Sequence, residues 1–164
     1  TGHLVLSTLH TNNAIGVIPR LIDMGVDPYL LAPTLILAVG QRLVRKLCPD
    51  SRKSVQAEGK IKEMMEQEIA AMSPDIKEEV RAGLAGPLYA AQISALCPKG
   101  TRGRTGIFEA LSMTPELEKI ILSGPSESLI AAEAARQGMV TMKQDGIRKV
   151  IKGIIGFEEL LEAV

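Results

Sequence analysis

The stretch Thr1-Gly2-His3-Leu4-Val5-Leu6-Ser7-Thr8-Leu9-His10-Thr11-Asn12-Asn13 determines how the rest of this sequence is interpreted. Its short apolar run, Leu4 to Leu9, is typical of a buried β-strand. A polar cluster, His10 to Asn13, follows directly. Because ligands bind at the carboxyl ends of strands in open α/β sheets, these polar side chains are predicted to lie at a ligand-binding edge.

The two histidines of the chain, His3 and His10, flank this predicted strand. Side chains alternate along a strand, so residues seven positions apart point to opposite faces, which disfavours a metal ion shared by the two. An imidazole at the carboxyl end of a strand can instead donate a hydrogen bond to a phosphate oxygen. Taken alone, the pattern still favours structural histidines over phosphate-binding ones.

Strand and helix signals alternate along the chain and indicate an α/β protein. Apolar residues recur at helical spacing from Ala14 onward, and Pro19 is predicted to kink that helix or to mark its first turn. The segment from Ala57 to Gly83 is predicted to be a helical insertion. Strands are predicted at Leu88–Ala91 and Thr105–Leu111, and further helix starts at Asp27-Pro28, Ser73-Pro74, Thr114-Pro115, Ser126-Glu127, Thr141 with Gln144, and Gly156-Phe157.

Composition excludes several classes of partner. Lys plus Arg (19) balances Asp plus Glu (19), so the chain has no overall basic field to hold nucleic acid. Aromatic residues make up only 2% of the sequence, which leaves few stacking platforms for single-stranded bases. The longest apolar run, Leu30 to Val39, is shorter than the roughly 20 residues that a membrane-spanning helix needs. We therefore expect neither nucleic-acid binding nor membrane insertion.

A glycine-rich run, Gly100-Thr101-Arg102-Gly103-Arg104-Thr105-Gly106, invites comparison with a phosphate-binding loop. It lacks the Gly-x-x-x-x-Gly-Lys-Ser/Thr pattern that surrounds phosphates with amides and a lysine. The run is therefore predicted to be flexible backbone between two strands. Arg102 and Arg104 leave an anion contact or a subunit contact open.

Cys48 and Cys97 each precede a proline, as in half of a zinc knuckle. The positions that would complete the knuckles hold Ser51 and Gly100, so a tetrahedral thiolate shell is incomplete. Two cysteines also do not amount to a disulfide framework. The prediction is two unpaired thiols in a reduced setting, with no metal site and no complete hydrolytic triad.

The opening stretch closely resembles the histidine box of the hexameric ATPases that drive type II secretion and type IV pilus assembly. The similarity continues through Arg20-Leu21-Ile22-Asp23-Met24-Gly25 and Gln41-Arg42-Leu43-Val44-Arg45-Lys46-Leu47-Cys48-Pro49. It resumes at Gly103-Arg104-Thr105-Gly106-Ile107-Phe108-Glu109. It covers most of the chain and is weakest between Ser51 and Leu96.

The resemblance implies roles for particular residues. His3 and His10 would approach the γ-phosphate as the catalytic histidines, and Thr8 and Thr11 would shape the nucleotide-binding strand end. Arg42 would contact the nucleotide or a neighbouring subunit. Asn13 stands where the family commonly has Asp. The zinc-binding cysteine pairs of the family map onto Cys48 and Cys97 with one member of each pair absent, which makes these two residues remnants of the motif and leaves zinc in doubt.

The resemblance also implies a fold. The chain would be the C-terminal portion of a RecA-like P-loop NTPase core, with a small mixed α/β insertion and a helical C-terminal subdomain. Residues 1–50 would complete the ATPase core, 51–104 would form the insertion with the degenerate cysteine motif, and 105–164 would contain the return strand and the helical subdomain.

The implied function is that of a part of a cytoplasmic motor. The full-length parent would bind ATP and Mg²⁺, form a homo-hexamer, and dock on an inner-membrane platform and cytoplasmic secretion-system proteins. This chain has no Walker A or Walker B segment, so by itself it is expected to bind no cofactor and to be inactive. An alternative is a stand-alone, non-catalytic interaction or regulatory module derived from the family. A zinc-dependent hydrolase is disfavoured by the number of metal ligands.

Overall fold

The computed structural model describes residues 2–164, and Thr1, the first residue of the histidine box, lies outside them. The described residues form eight helices and four strands in a mixed α/β arrangement. These are α1 (Val17–Asp23), α2 (Pro28–Thr34), β1 (Leu37–Leu47), β2 (Lys53–Val55), α3 (Gly59–Ala70), α4 (Pro74–Leu84), β3 (Leu88–Ala90), β4 (Thr101–Ser112), α5 (Pro115–Leu122), α6 (Glu127–Arg136), α7 (Met142–Ile151) and α8 (Phe157–Leu161).

The chain divides into two compact units. Among the described residues, the first comprises residues 2–40 and 110–137, and the second comprises residues 41–109 and 138–164. In the first unit, α5 packs against both α2 and α6. This packing removes apolar side chains from water, which is the main source of its stability. The residues buried in this unit include Ala14, Ile18, Leu31, Ala32, Leu117, Ile121, Ile130 and Ala134.

The second unit is built around α7. Helices α3, α4 and α8 and strand β3 all contact it, and β2 pairs antiparallel with β3. Apolar side chains from four helices and three strands fill the centre, and Ile69, Val150 and Leu160 are almost or fully inaccessible. The full core comprises Val44, Met65, Ile69, Met72, Val80, Leu88, Ile107, Met142, Ile147, Val150, Ile155, Phe157 and Leu160.

Strands β1 and β4 form a two-stranded ribbon. At one end the N–H of Met113 donates to the carbonyl of Ile36, and at the other the N–H of Cys48 donates to the carbonyl of Gly100. The strands are therefore antiparallel. The sequence did not indicate β1, because its basic residues break the apolar alternation that identifies a strand. The glycine-rich run was also wrongly predicted as flexible backbone, since all of it except Gly100 lies within β4.

The predicted strand Leu4–Leu9 is not formed. Residues 2–11 have no regular secondary structure, and the side chains of Leu4, Val5 and Leu6 are 75–89% exposed. A buried strand needs neighbours that complete its backbone hydrogen bonds and cover its side chains. Within residues 2–164 no strand lies beside this segment to do so.

The helix starts follow the sequence closely. Asp27 accepts a hydrogen bond from the N–H of Tyr29 at the start of α2, as predicted, and Pro19 lies in the first turn of α1. Thr114, Ser126 and Thr141 accept backbone hydrogen bonds at the starts of α5, α6 and α7. The predicted division into residues 1–50, 51–104 and 105–164 stays a prediction.

Candidate functional site

The histidine segment lies at the surface of the first unit. His3, Thr8 and His10 are exposed and Thr11 is partly buried. Neither histidine side chain takes part in a hydrogen bond or an ion pair within residues 2–164. The imidazoles are therefore accessible to a ligand, and their predicted approach to a phosphate stays a prediction.

The end of this segment is anchored to α1 by Asn13. Its Oδ1 accepts a 2.8 Å hydrogen bond from the N–H of Gly16, directly before the helix. The hydroxyl of Thr11 donates to the carbonyl of Asn13 at 3.1 Å. The side chains of Ala14 and Ile18, which follow Asn13 in the sequence, are fully buried and anchor the start of α1 in the core. An aspartate carboxylate at this position could accept the same backbone hydrogen bond.

Arg42 lies in β1, within the second compact unit, and its side chain is exposed. The structure thus assigns Arg42 and the histidines to different units, and the role of Arg42 stays a prediction. Arg102 and Arg104 are also exposed, on β4. The glycine-rich run that contains them is extended, so its amides do not form the turn at a helix N-terminus that characterises a phosphate loop.

The prediction of two unpaired thiols is wrong, because Cys48 and Cys97 form a disulfide bond. Their Cα atoms are 6.5 Å apart, within the range that a disulfide can bridge. Cys48 is fully buried and Cys97 is 4% exposed. The sequence reasoning failed here because the two residues are 49 positions apart, and only the fold shows that their chain segments meet.

The residues around this disulfide do not fit a zinc ion of the kind that the cysteine pairs of the family would bind. Among residues 2–164 no three His, Cys, Asp or Glu side chains are grouped so as to hold a metal ion. Gly100, at the position of a missing cysteine, has φ +66°, and a Cβ there would lie 3.0 Å from the backbone N of Gln92. The other missing cysteine is replaced by Ser51, whose buried hydroxyl has no hydrogen-bond partner within the described residues.

Two carboxylates that hold the start of α7 were not identified from the sequence. Glu109 is 6% exposed, and its Oε2 accepts a 3.1 Å hydrogen bond from the N–H of Met142. Asp145 Oδ2 accepts a 3.0 Å hydrogen bond from the N–H of Phe108 and contacts the ammonium of Lys149. Carboxylates are favourable near helix N-termini, so these contacts fix β4 against α7. The Thr141–Gln144 capping box was the only sequence signal for this junction.

A second buried carboxylate, Glu133, stabilises the first unit. Arg136 donates hydrogen bonds of 2.6 and 2.8 Å to its two oxygens, and this contact lowers the pKa of Glu133 to about 2. Burial opposes that shift, while hydrogen bonds from Thr114 and Gln137 reinforce it. The carboxylate in turn raises the pKa of Arg136. Glu133 therefore remains ionised throughout the neutral and mildly acidic range.

Comparison with known proteins assigns the family. The description "Type II/IV secretion system protein" matches residues 1–162, almost the entire chain. The chain belongs to this family. Relatives include the type II secretion system protein E of Pseudomonas aeruginosa, which is 38% identical over 162 residues, and that of Xanthomonas campestris pv. campestris, 40% identical over 161 residues. The type IV pilus assembly ATPase PilB of Myxococcus xanthus is 34% identical over 163 residues.

The similarity covers 98% of this chain in each of the three cases. It covers only 30% of the Pseudomonas relative and 27% of each of the other two, so the chain spans less than a third of the length of these family members. The resemblance found in the sequence is confirmed at the level of the family. No helix among residues 2–164 is long and apolar enough to cross a membrane.

Proposed function

We propose that this chain is part of a hexameric motor ATPase that powers type II secretion or type IV pilus assembly. In this motor it contributes the histidine box and surfaces that contact neighbouring subunits. The motor works in the cytoplasm, where it docks on an inner-membrane platform and on cytoplasmic components of the secretion system. ATP and Mg²⁺ are bound by the complete protein.

The observation that carries this proposal is the family match over residues 1–162, together with relatives whose names describe secretion and pilus assembly ATPases. The sequence contains no Gly-x-x-x-x-Gly-Lys-Ser/Thr loop. Phosphate binding by backbone amides and a lysine must therefore come from elsewhere in the complete protein. The contribution of this chain is made by individual side chains, foremost His10.

His10 is suited to sensing a phosphate. A neutral imidazole has one N–H donor and a protonated imidazole has two, so either form can donate a hydrogen bond to a phosphate oxygen. ATP hydrolysis depends mainly on positioning and on charge stabilisation, which a donor of this kind supports.

A hydrogen bond made by His10 would also be transmitted to α1. Thr11, the next residue, donates to the carbonyl of Asn13, and Asn13 accepts from the N–H of Gly16 at the start of that helix. Ile18, in the first turns of α1, is fully buried. A change at His10 is thus connected to a packed helix through two successive hydrogen bonds, which is how the state of a nucleotide can alter the packing of a subunit.

The test compares the 164-residue chain with the longest polypeptide that its gene encodes. Phosphate release measures hydrolysis, and a fluorescent ATP analogue measures binding. We expect Mg²⁺-dependent hydrolysis by the longer polypeptide and none by the 164-residue chain. If the longer polypeptide neither binds nor hydrolyses ATP, the motor assignment is wrong and the non-catalytic interaction module becomes the better account.

A further inference from the structure

We propose that Cys48 and Cys97 form a reversible disulfide, a redox-responsive clamp that replaces a metal site. Cys48 directly follows the last residue of β1, and Cys97 lies four residues before the start of β4. The disulfide therefore joins the end of β1 to the chain just before β4, at the two ends of the segment that connects these strands. This segment contains β2, α3, α4 and β3.

The backbone holds the two cysteines together independently of the covalent bond. The N–H of Cys48 donates a 3.1 Å hydrogen bond to the carbonyl of Gly100. The carbonyl of Cys97 accepts from the N–H of Gly100 at 2.9 Å, and the hydroxyl of Ser94 accepts from the N–H of Cys97 at 3.1 Å. Groups held in place by the surrounding structure react as if they were highly concentrated, so the fold favours closure of the disulfide.

The same site is unsuited to zinc. A structural zinc ion requires four ligands, and the chain offers two thiols here. A cysteine at position 100 would be strained, because Gly100 has φ +66° and its Cβ direction is filled by Gln92 and Ala91. Two buried thiols without a metal are left to react with each other.

Thiol–disulfide exchange with a reductant in solution begins at Cys97. An open depression of about 480 Å³ is lined by Cys97 and by the cationic side chains of Lys99 and Arg102, whereas Cys48 is fully buried. A thiolate reductant attacks Cys97 Sγ, and Cys48 Sγ leaves as a thiolate that then takes up a proton. A second reductant thiolate releases Cys97 from the mixed disulfide. Two reductant thiols are thereby oxidised to one disulfide, and the two cysteines are reduced.

Opening the clamp has a measurable effect on stability. A disulfide mainly restricts the unfolded chain, and bonds of this kind typically raise the folding equilibrium constant about 30- to 1,000-fold. The proposed function places the chain in the cytoplasm, a reducing compartment. Disulfides in such compartments are usually transient and sensitive to redox conditions. We therefore expect the segment between Cys48 and Cys97 to unfold less readily under oxidising conditions than under reducing conditions.

The first experiment uses the 164-residue chain, incubated with glutathione disulfide or with dithiothreitol and then alkylated with N-ethylmaleimide. We expect no labelled cysteine after oxidation and two after reduction under denaturing conditions. Urea unfolding should show a loss of about 30- to 1,000-fold in the folding equilibrium constant on reduction. The Cys48→Ala/Cys97→Ala variant serves as the control and should not respond to dithiothreitol. Labelling of both thiols after oxidation, or one equivalent of zinc in the purified protein, would overturn the proposal.

A second experiment tests entry at Cys97. Reduction by the anionic thiol 2-mercaptoethanesulfonate is compared with reduction by neutral 2-mercaptoethanol, in the native chain and in Lys99→Ala/Arg102→Ala. Both reagents attack as thiolates, but the sulfonate gives its thiolate a second negative charge, so the two cations attract it more strongly. The variant should therefore lose more rate with 2-mercaptoethanesulfonate than with 2-mercaptoethanol, by a few-fold and most clearly at low salt. Equal changes for both reagents would overturn the assignment of Cys97 as the entry point.

Discussion

The hydroxyl of Thr114 donates a 2.8 Å hydrogen bond to Glu133 Oε1, while the same hydroxyl oxygen accepts one from the N–H of Leu117. Thr114 is the N-cap of α5, and Glu133 is a buried residue of α6. The cap of one helix is thus oriented by a carboxylate of the next. This arrangement connects the electrostatics of Glu133 to the packing of α5 against α6.

Replacing Glu133 by Gln should destabilise the chain by about 1–3 kcal/mol, because buried hydrogen-bond partners and the Arg136 ion pair are lost. Urea unfolding at pH 7 measures this change. Glu63→Gln, at an exposed site on α3, is the matched control and should change stability by less than about 0.5 kcal/mol. Equal stability of the two variants would contradict the role assigned to Glu133.

The same carboxylate predicts a pH dependence. The pKa of Glu133 falls from 4.5 to about 2 on folding. A lowered pKa stabilises the folded state at pH values above about 4.5, and this stabilisation is lost as the pH falls towards 2. The stability difference between the native chain and Glu133→Gln, measured by urea unfolding from pH 6 to 2.5, should therefore shrink on acidification. A difference independent of pH would show that the carboxylate is not paired in the folded state.

Asn13 should be replaceable by Asp but not by Ala. Asn13→Ala loses the hydrogen bond that Oδ1 accepts from the N–H of Gly16, at a cost of about 1 kcal/mol. Asn13→Asp keeps an acceptor and adds a negative charge near the N-terminus of α1, which is favourable. Thermal unfolding of the three proteins checks this order. Equal loss of stability in both variants would contradict the role assigned to this hydrogen bond.

Gly146 lies within α7, where Ala normally favours a helix by up to about 1 kcal/mol. A Cβ at this position would overlap the methyl groups of Leu160, a fully buried residue of α8. We therefore expect Gly146→Ala to destabilise the chain by about 1–3 kcal/mol in urea unfolding. Glu63→Ala, which gains helix propensity at an exposed site, is the control. A stabilised Gly146→Ala would show that α7 and α8 do not pack as described.

Local chemistry explains which parts of the fold the sequence revealed. Helix starts depend on a cap and a few neighbouring residues, so Asp27-Pro28, Thr114-Pro115 and the Thr141–Gln144 capping box were read correctly. Strands depend on partners that are distant in sequence. Leu4–Leu9 looks like a strand but has no strand beside it within the described residues, whereas β1 lacks the expected pattern and pairs with β4.

In the candidate sites, too, features formed by consecutive residues were recognisable from the sequence, and features formed by distant residues were not. The histidine box was recognisable because its residues are consecutive. The Cys48–Cys97 disulfide and the buried carboxylates of Glu109 and Glu133 were missed, because their surroundings are created by folding. In the sequence, Glu109 and Glu133 cannot be told from ordinary surface residues. They become buried only because β4 packs against α7 and α5 packs against α6.

The effect of His10→Ala on ATP hydrolysis, in the longest polypeptide that the gene encodes, tests the central claim most directly. Glu63→Ala, at an exposed site on α3, is the control, and urea unfolding confirms that both variants fold. Loss of a donor that stabilises transferred charge should lower kcat at least about tenfold, with the control unchanged. Hydrolysis by His10→Ala at the rate of the native protein would contradict the assignment of this segment to the nucleotide site.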